Sequence, residues 1–366
     1  MRINLTKTMV AAFVLAYCSI CVSSCGKDDP QPVIEYDATF YLGVNPGDSD
    51  EACIYKDDEL LYRLGSVSWV EGIALTPDGS IYASGSTGTR DAEDHSVATE
   101  SPVIWKDGKP LNLDLTSHNI AFLYNMATSG DSWLCCGLAQ EDGDTSTDRG
   151  IIICNGEVVY KSEKGIRFLC MGCDMGGDCY VVAQEGNSLS LLRISAGSWT
   201  LSSSEKLITG TDIFTWETCI HVGISNIAVG ITCFEGDTNT AFCWVNDGLG
   251  LRVIDEESAV DGITFFRGHL VAAGCHQTIT VTPDYLEFKS KAIQWVDGIS
   301  QDFSLGCTGY SEMRHVSSWN DMFLFQCVEH GGGIQICYDG ALLKEIKFTE
   351  KPCVSSWVVD VKPVVK

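Results

Sequence analysis

The chain has 366 residues, a formal net charge of −25 at pH 7 and 45% hydrophobic residues. This apolar content is too high for a disordered chain, and so acidic a chain cannot neutralise the phosphates of a nucleic acid. After residue 25 no run approaches the ~20 consecutive apolar residues of a transmembrane helix. The sequence therefore predicts a globular body that does not bind nucleic acid.

The first 24 residues have the layout of a signal peptide. Arg2 and Lys7 make the start basic, and the apolar run 8–22 that follows is too short to span a bilayer with margin. The run ends in Val22-Ser23-Ser24-Cys25, which resembles the lipobox of bacterial lipoproteins. That resemblance implies cleavage before Cys25 and attachment of lipid, including palmitate, to this cysteine. An ordinary secretory peptide that is cut nearby is the alternative.

Residues 25–33 are interpreted as a lipidated cysteine and its tether. Lys27, Asp28 and Asp29 resemble the export signal of Bacteroidetes surface lipoproteins, in which a lysine precedes an acidic pair. The resemblance implies an outer-membrane protein that is exposed at the cell surface and held to the membrane by its lipid anchor. A charged linker with no export role is the alternative. The remaining residues, 34–366, form the predicted body.

One four-strand pattern recurs through this body. Its clearest copy has short strand-forming segments at 70–76, 80–84, 102–106 and 111–115, separated by a polar loop and turn sequences such as Pro-Asp-Gly and Asp-Gly. The third segment and its turn can be followed along the chain at spacings of 38 to 55 residues, with markers at positions 55, 105, 154, 193, 244, 282 and 337. Spacings of ~40–50 residues are typical of the blades of β-propellers.

The two ends of the body each hold one spare strand, at 38–44 and 354–361. We expect the C-terminal strand to complete a blade with three N-terminal strands, which would close the ring and remove free sheet edges. The segment 73–82 also resembles YVTN- and NHL-type propeller repeats, which implies the fold but no particular activity. The sequence thus predicts an all-β fold, a β-propeller of seven four-stranded blades closed by N- and C-terminal strands. Six or eight blades and a two-sheet β-sandwich remain alternatives.

Acidic residues recur at the predicted innermost strands. Aligning these strands places Glu71, Glu217 and Asp261 at corresponding positions near the strand starts, with Glu312 as a further candidate. Because such starts face the mouth of the central channel, a ring of carboxylates there could hold a cation or a cationic ligand. Arg314, together with the histidine that follows it, could neutralise an acidic sugar or form a solvated pair.

Two further features could bind a ligand. Trp295 could stack on a sugar ring or pack between blades. Asp142, Asp144 and Asp148 lie in a loop with four carboxylates in eight residues, which could bind calcium; no cofactor is otherwise expected. The spacing is not that of an EF-hand, and a solvated acidic loop is the alternative.

The cysteines are not expected to form a disulfide framework. Of the 18 in the chain, fifteen remain after the signal peptide and Cys25 are set aside, and most of these lie in apolar strand-like runs. There a thiol behaves as a small buried hydrophobe. Cys170, Cys173 and Cys179 lack a fourth ligand at the usual spacing, so no zinc or iron–sulfur site is predicted.

Motifs for nucleophilic, metal-dependent or phosphate chemistry are missing from the sequence, so no catalytic residue is assigned. The sequence predicts a monomeric, surface-exposed lipoprotein that binds a glycan or a partner protein in an outer-membrane uptake or adhesion system. A propeller-fold glycoside hydrolase or polysaccharide lyase, with channel-mouth carboxylates as acid and base, is one alternative. A scaffold without a small ligand is another.

Overall fold

The computed structural model describes residues 2–3, 34–46, 51–90, 97–141, 143–209, 214–235, 238–281, 286–303, 310–348 and 352–365. Cys25, Lys27, Asp28, Asp29 and Asp142 lie outside these residues, so the anchor and export signal stay predictions. A single 3-10 turn, Thr116–His118, interrupts the strands of the described part of the chain. The described residues contain no helix long and apolar enough to cross a membrane.

The strands are short and follow one another closely. In chain order they are β1 (Arg2–Ile3), β2 (Ile34–Pro46), β3 (Cys53–Lys56), β4 (Glu59–Arg63), β5 (Ser68–Leu75), β6 (Ile81–Arg90), β7 (Val97–Lys106), β8 (Lys109–Pro110), β9 (Ile120–Ser129), β10 (Ser132–Glu141), β11 (Asp144–Cys154), β12 (Glu157–Lys161), β13 (Ile166–Cys173), β14 (Cys179–Glu185), β15 (Ser188–Ser195), β16 (Thr200–Thr209), β17 (Phe214–Val222), β18 (Ile227–Glu235), β19 (Thr238–Val245), β20 (Gly250–Glu256), β21 (Ser258–Phe266), β22 (His269–Val281), β23 (Leu286–Val296), β24 (Ile299–Asp302), β25 (Ser311–Trp319), β26 (Phe323–His330), β27 (Gly333–Tyr338), β28 (Ala341–Lys347) and β29 (Pro352–Val365).

These strands form seven four-stranded antiparallel units within the described residues. Six of them consist of consecutive strands: β5–β8, β9–β12, β13–β16, β17–β20, β21–β24 and β25–β28. A single parallel pair, Arg149 with Ile166, joins the second and third of these into one sheet. The seventh unit is β29-β2-β3-β4, and β1 pairs with β2 at Tyr36 and Asp37.

The two ends of the body meet in the seventh unit. β29 pairs antiparallel with β2, from Ile34 opposite Val365 to Pro46 opposite Pro352. The C-terminal strand thus completes a unit whose other three strands come from the N-terminal part of the body, as the spare strands predicted.

The innermost strands surround a central channel. β5, β9, β13, β17, β21, β25 and β29 contact one another in this order, and β29 in turn contacts β5. This radial arrangement confirms the predicted all-β propeller and excludes the two-sheet sandwich, because the units stand around an axis instead of facing each other as two layers.

Asp-Gly and Asn-Gly turns define the repeat. Asp107-Gly108, Asn155-Gly156, Asp297-Gly298 and Asp339-Gly340 have positive φ at both residues, as the tight hairpin turns that suit twisted strands require. One predicted marker was wrong. The sixth repeat was placed at 280–284, whereas the third strand of that unit is β23 and its turn is Asp297-Gly298.

The hydrophobic core lies between neighbouring units, because alternate side chains of each strand point to opposite faces. Phe40 and Leu42 of β2, for example, are fully buried against Phe325 and Ile336 of the adjacent unit. The rings of Phe40 and Phe325 meet edge to face with centroids 5.3 Å apart. Removing a buried ring of this kind costs about 3–5 kcal/mol, so this interface contributes strongly to closing the ring.

Candidate functional site: the central channel

Each of the seven innermost strands contains a β-bulge, where one residue more than on the partner strand is accommodated. Bulges of this kind re-aim side chains and are common at the rims of barrels and beside binding sites. The extra residues lie at Glu71, Tyr124–Asn125, Leu169, Trp216, Asp261, Arg314 and Ser355.

Two of these bulges carry an acid in the same local sequence. Glu71 lies between Val70 and Gly72, and Asp261 lies between a valine and Gly262. The glycine is needed because the next innermost strand comes very close: a Cβ on Gly72 would lie 2.6 Å from the backbone nitrogen of Met126. The local sequence therefore lets neighbouring strands approach while the acid before it is directed to the channel.

Arg314 is surrounded by carboxylates. Its Nη2 lies 2.6 Å from Oε2 of Glu312, its Nε 3.2 Å from Oε2 of Glu329 and its Nη1 3.6 Å from Oδ2 of Asp261. The hydroxyl of Tyr310 donates to Glu329 at 3.1 Å and accepts from Arg314 at 3.3 Å. Burial by itself would lower the pKa of Arg314, but the three carboxylates outweigh it and raise that pKa above its ordinary value. The guanidinium therefore stays charged at any pH at which the fold is studied.

Asp261 is the least satisfied acid of this cluster. Its side chain is 7% exposed, and neither of its buried oxygens accepts a hydrogen bond from a described group. Burial raises the pKa of Asp261 well above its ordinary value, and the negative charges of Glu217 and Glu312 raise it further, while Arg314 opposes the shift. Its surroundings therefore disfavour the charged form of Asp261, and a further positive charge nearby would favour it.

The cluster borders a cavity of about 350 Å³ on the channel axis, which is lined by residues of all seven innermost strands. Glu71 and Asp261 are among its lining residues. Burial raises the pKa of Glu71, and the charge of Glu100 adds to this effect. The cavity thus has the volume of a small-ligand site and two acids with raised pKa values.

His315 also lines the cavity. Its ring stacks on Trp357 with centroids 5.9 Å apart, and its Nε2 is buried without a hydrogen-bond partner. Burial and the nearby charge of Arg314 lower the pKa of His315 to about 3, so the imidazole is neutral. It can therefore offer a hydrogen bond to a ligand without repelling a cation.

The structure brings together most of the channel residues that were singled out from the sequence. Asp261 and Arg314 are in one cluster with Glu312, Glu217 lies beside Asp261, and Glu71 lines the cavity. The alignment of their positions was wrong in part: Glu217 follows the bulged residue of β17, and Glu312 precedes the bulge of β25 by two residues. Arg314 is held by the carboxylates of Asp261, Glu312 and Glu329.

Glu329 and Tyr310 were missed. Glu329 follows the mostly apolar segment 323–328 of β26, and the neighbouring sequence does not indicate that it forms an ion pair. It lies directly opposite Glu312 in the β25–β26 pair. Knowledge of the register of the β25–β26 hairpin would have been enough to identify Glu329 as a neighbour of Glu312.

Trp295 is 1% exposed, so it has no open face for a sugar ring. It lies two residues before the turn of β23, as the buried Trp105 and Trp244 do before the corresponding turns of β7 and β19. Its Nε1 donates to Oδ2 of Asp255 at 3.1 Å. Trp295 therefore occupies a core position that recurs in other units. It packs between units, which was the alternative to stacking on a sugar ring.

The described part of the acidic loop is not arranged as a calcium site. Asp148 is 1% exposed; one of its oxygens accepts from Nε2 of Gln140 at 2.7 Å and the other from Arg167. Asp144 accepts hydrogen bonds from the backbone and side chain of Ser146. The two carboxylates are thus engaged separately, because Asp148 points into the sheet while Asp144 caps an exposed turn. Asp142 lies outside the described residues.

Within the described ranges, one group has a donor set that a metal ion could use: Asp261, Cys275 and Glu312, whose ligand atoms lie within 4.8 Å of one another. The guanidinium of Arg314 already lies between two of these carboxylates and supplies the positive charge there. Cys173 and Cys179 lie opposite each other in the β13–β14 pair.

No family model matches the chain, and no curated protein matches its sequence. Among solved structures it is similar to the β-propeller domain of the Trilobed protease from Pyrococcus furiosus (TM-score 0.43, 9% identity, 77% of this chain and 85% of that one). It is also similar to the Dos1 propeller (0.42, 11%, 86% and 79%) and to a prolyl endopeptidase (0.44, 10%, 87% and 49%). The chain spans about half the length of that endopeptidase. Likenesses this distant carry no functional argument, and the fold assignment rests on the strand pairing.

Proposed function

We propose that the chain is a lipid-anchored surface protein that binds the positively charged group of a ligand in its central channel. The observation that supports this best is Asp261, a buried acid beside the cavity whose oxygens accept no hydrogen bond. Burying such a group without a partner costs free energy, and an entering cation would recover that cost.

The charges around Asp261 favour a cation over an anion. Four acids, Glu217, Asp261, Glu312 and Glu329, are grouped with one cation, Arg314. An ammonium or guanidinium group that enters the cavity would favour the ionised form of Asp261 and form charge-assisted hydrogen bonds to it. Such a group belongs to an amino sugar of a glycan or to a basic side chain of a partner protein, and either suits an outer-membrane uptake or adhesion system.

Thermal unfolding of the full chain in detergent tests this proposal. Lysine amide, arginine amide and glucosamine would be compared with neutral glucose, anionic glucuronate and calcium chloride, each at pH 8. A ligand at ~100 times its dissociation constant adds about 2.7 kcal/mol to stability. We expect the melting temperature to rise with at least one organic cation, and the comparison of amide with amino sugar to indicate which class carries the group.

Two variants make the test specific. Asp261→Asn should lose the response to the organic cation, whereas Glu157→Gln, which changes an exposed acid on β12, should keep it. An equal response to glucose, or an unchanged response in the Asp261 variant, would contradict the proposal.

A glycoside hydrolase or lyase is the second candidate. Glycoside hydrolases use one carboxylic acid with a raised pKa as the general acid and a second carboxylate as base or nucleophile. Burial and the charge of Glu217 raise the pKa of Asp261, so Asp261 would be the acid of such an enzyme and Glu217 the second carboxyl group.

A further inference from the structure

Two cysteines flank one hairpin turn outside the channel cluster. Cys173 ends β13 and Cys179 begins β14, and the two residues are directly opposite each other in the antiparallel pair. Side chains of directly opposite residues lie on the same face of a sheet. Their sulfurs are 3.4 Å apart, and both thiols are free.

The turn between them is held by its own hydrogen bonds. Oδ1 of Asp174 accepts from the backbone nitrogens of Gly176, at 2.9 Å, and of Asp178, at 3.0 Å. The backbone nitrogen of Asp174 also donates to the carbonyl of Asp178 at 3.0 Å. The two cysteines are therefore kept opposite each other by the turn and by the strand pairing.

We infer that Cys173 and Cys179 form an intramolecular disulfide when the protein meets a disulfide-bearing oxidant. A disulfide has an S–S length of ~2.05 Å, so the sulfurs need to approach by only ~1.3 Å. Rotation of the side chains supplies this movement without a change in the strand register. The bond would link the two strands at the turn end of their unit.

Exposure decides the order of the reaction. Cys173 is half-buried, whereas Cys179 is fully buried. The hydrogen bond with Cys179 and burial raise the pKa of Cys173, so only a small fraction is thiolate and the reaction is slow. That thiolate attacks a sulfur of the external disulfide RSSR and forms Cys173–S–S–R, and the departing thiolate takes up the proton as RSH. Cys179 then attacks the sulfur of Cys173, forms the internal bond and releases a second RSH. The two protein thiols are oxidised and one external disulfide is reduced to two thiols.

The test uses the full chain in detergent, incubated at pH 8 with oxidised glutathione. After quenching in acid and alkylation, mass spectrometry should find a protein lighter by about 2 Da before alkylation and a peptide pair that is linked through Cys173 and Cys179. Thiol titration of the denatured protein should find two fewer reactive thiols than in the untreated sample. The melting temperature should rise, because the bond constrains the unfolded chain.

Single variants separate the internal bond from unspecific oxidation. Cys179→Ser should stop at a glutathione adduct on Cys173, and Cys173→Ser should form neither the adduct nor the bond at this site. Cys353→Ser, which changes a half-buried cysteine of another unit, should still form the linked peptide pair. Adducts without an internal bond in the unaltered protein, or a link from either cysteine to Cys154, would overturn the inference, and this readout does not depend on any variant folding.

Discussion

Nη1 of Arg314 lies 3.6 Å from Oδ2 of Asp261, and both residues occupy the bulge of their strand. β21 and β25 are neighbours around the axis, so the contact joins two units at the channel. The same distortion of the backbone thus places a buried acid and its countercharge side by side. Because Glu312 and Glu329 also bind Arg314, the guanidinium only partly compensates the negative charge of an ionised Asp261.

Replacing Asp261 by Asn should change how stability depends on pH. The pKa of Asp261 is raised in the folded protein, so the folded state binds this proton more tightly than the unfolded state does. The corresponding stability is fully present below the ordinary carboxyl pKa of 3.8 and is lost as the pH rises through the raised value. Asp261→Asn should therefore raise the melting temperature at pH 8 relative to the unaltered protein, with little gain near pH 4. Parallel melting curves across this range would contradict the assignment.

Replacing Arg314 by Gln should destabilise the protein strongly. The change leaves Glu312 and Glu329 buried without their cation, and breaking a buried ion pair from one side costs about 3–5 kcal/mol. Urea unfolding measures this loss. Arg63→Gln breaks the exposed pair with Glu51 and should have little effect. Similar losses of unfolding free energy in both variants would mean that the ion pairs of Arg314 contribute no more to stability for being buried.

Deleting residues 352–366 should abolish cooperative unfolding. The deletion removes β29, which pairs with β2 and contacts β5, and so opens the ring and exposes the edge of β2. Far-ultraviolet circular dichroism during heating would follow the transition. Deletion of 364–366 alone, at the end of the same strand, should leave a single transition. A sharp transition after the longer deletion would show that β29 is not needed for closure.

Replacing Cys25 by Ala should release the protein from the membrane. If this cysteine carries the lipid, its removal leaves no acyl chain and the protein should leave the detergent-extracted membrane fraction. Metabolic labelling with a palmitate analogue should be lost in the same variant. Cys21→Ala, four residues earlier, is the control and should keep both the label and the membrane association. An unchanged distribution of the Cys25 variant would refute the lipid anchor.

The repeat of the fold was predictable because its signals are local. Asp-Gly and Asn-Gly turns between short apolar segments specify hairpins wherever they occur, and their spacing reports the length of one unit. Closure could be predicted as well, from the single spare strand at each end of the body. The one misplaced marker, at 280–284, arose where a turn-like Pro-Asp sequence precedes the true third strand, β23.

The site was predictable only in part. Glu71 and Asp261 could be found from the sequence because both precede a glycine at the same point of the repeat. The partners of Arg314 come from β21, β25 and β26, whose contacts depend on how units stand around the axis. Trp295 and Asp148 have residue types that suit an exposed ligand site, and packing decided otherwise for both.

Turn sequences depend on a few neighbouring residues, and the spacing between them gives the repeat length. The architecture could therefore be predicted from the amino-acid sequence alone. The contacts between side chains in the channel could not be predicted in this way. A shift of one residue in a strand moves a side chain to the opposite face, and each innermost strand contains a bulge that makes such a shift. Only the tertiary structure decides where those shifts bring acids and arginine together, because the contact depends on the register of two strands and on the distance between their units.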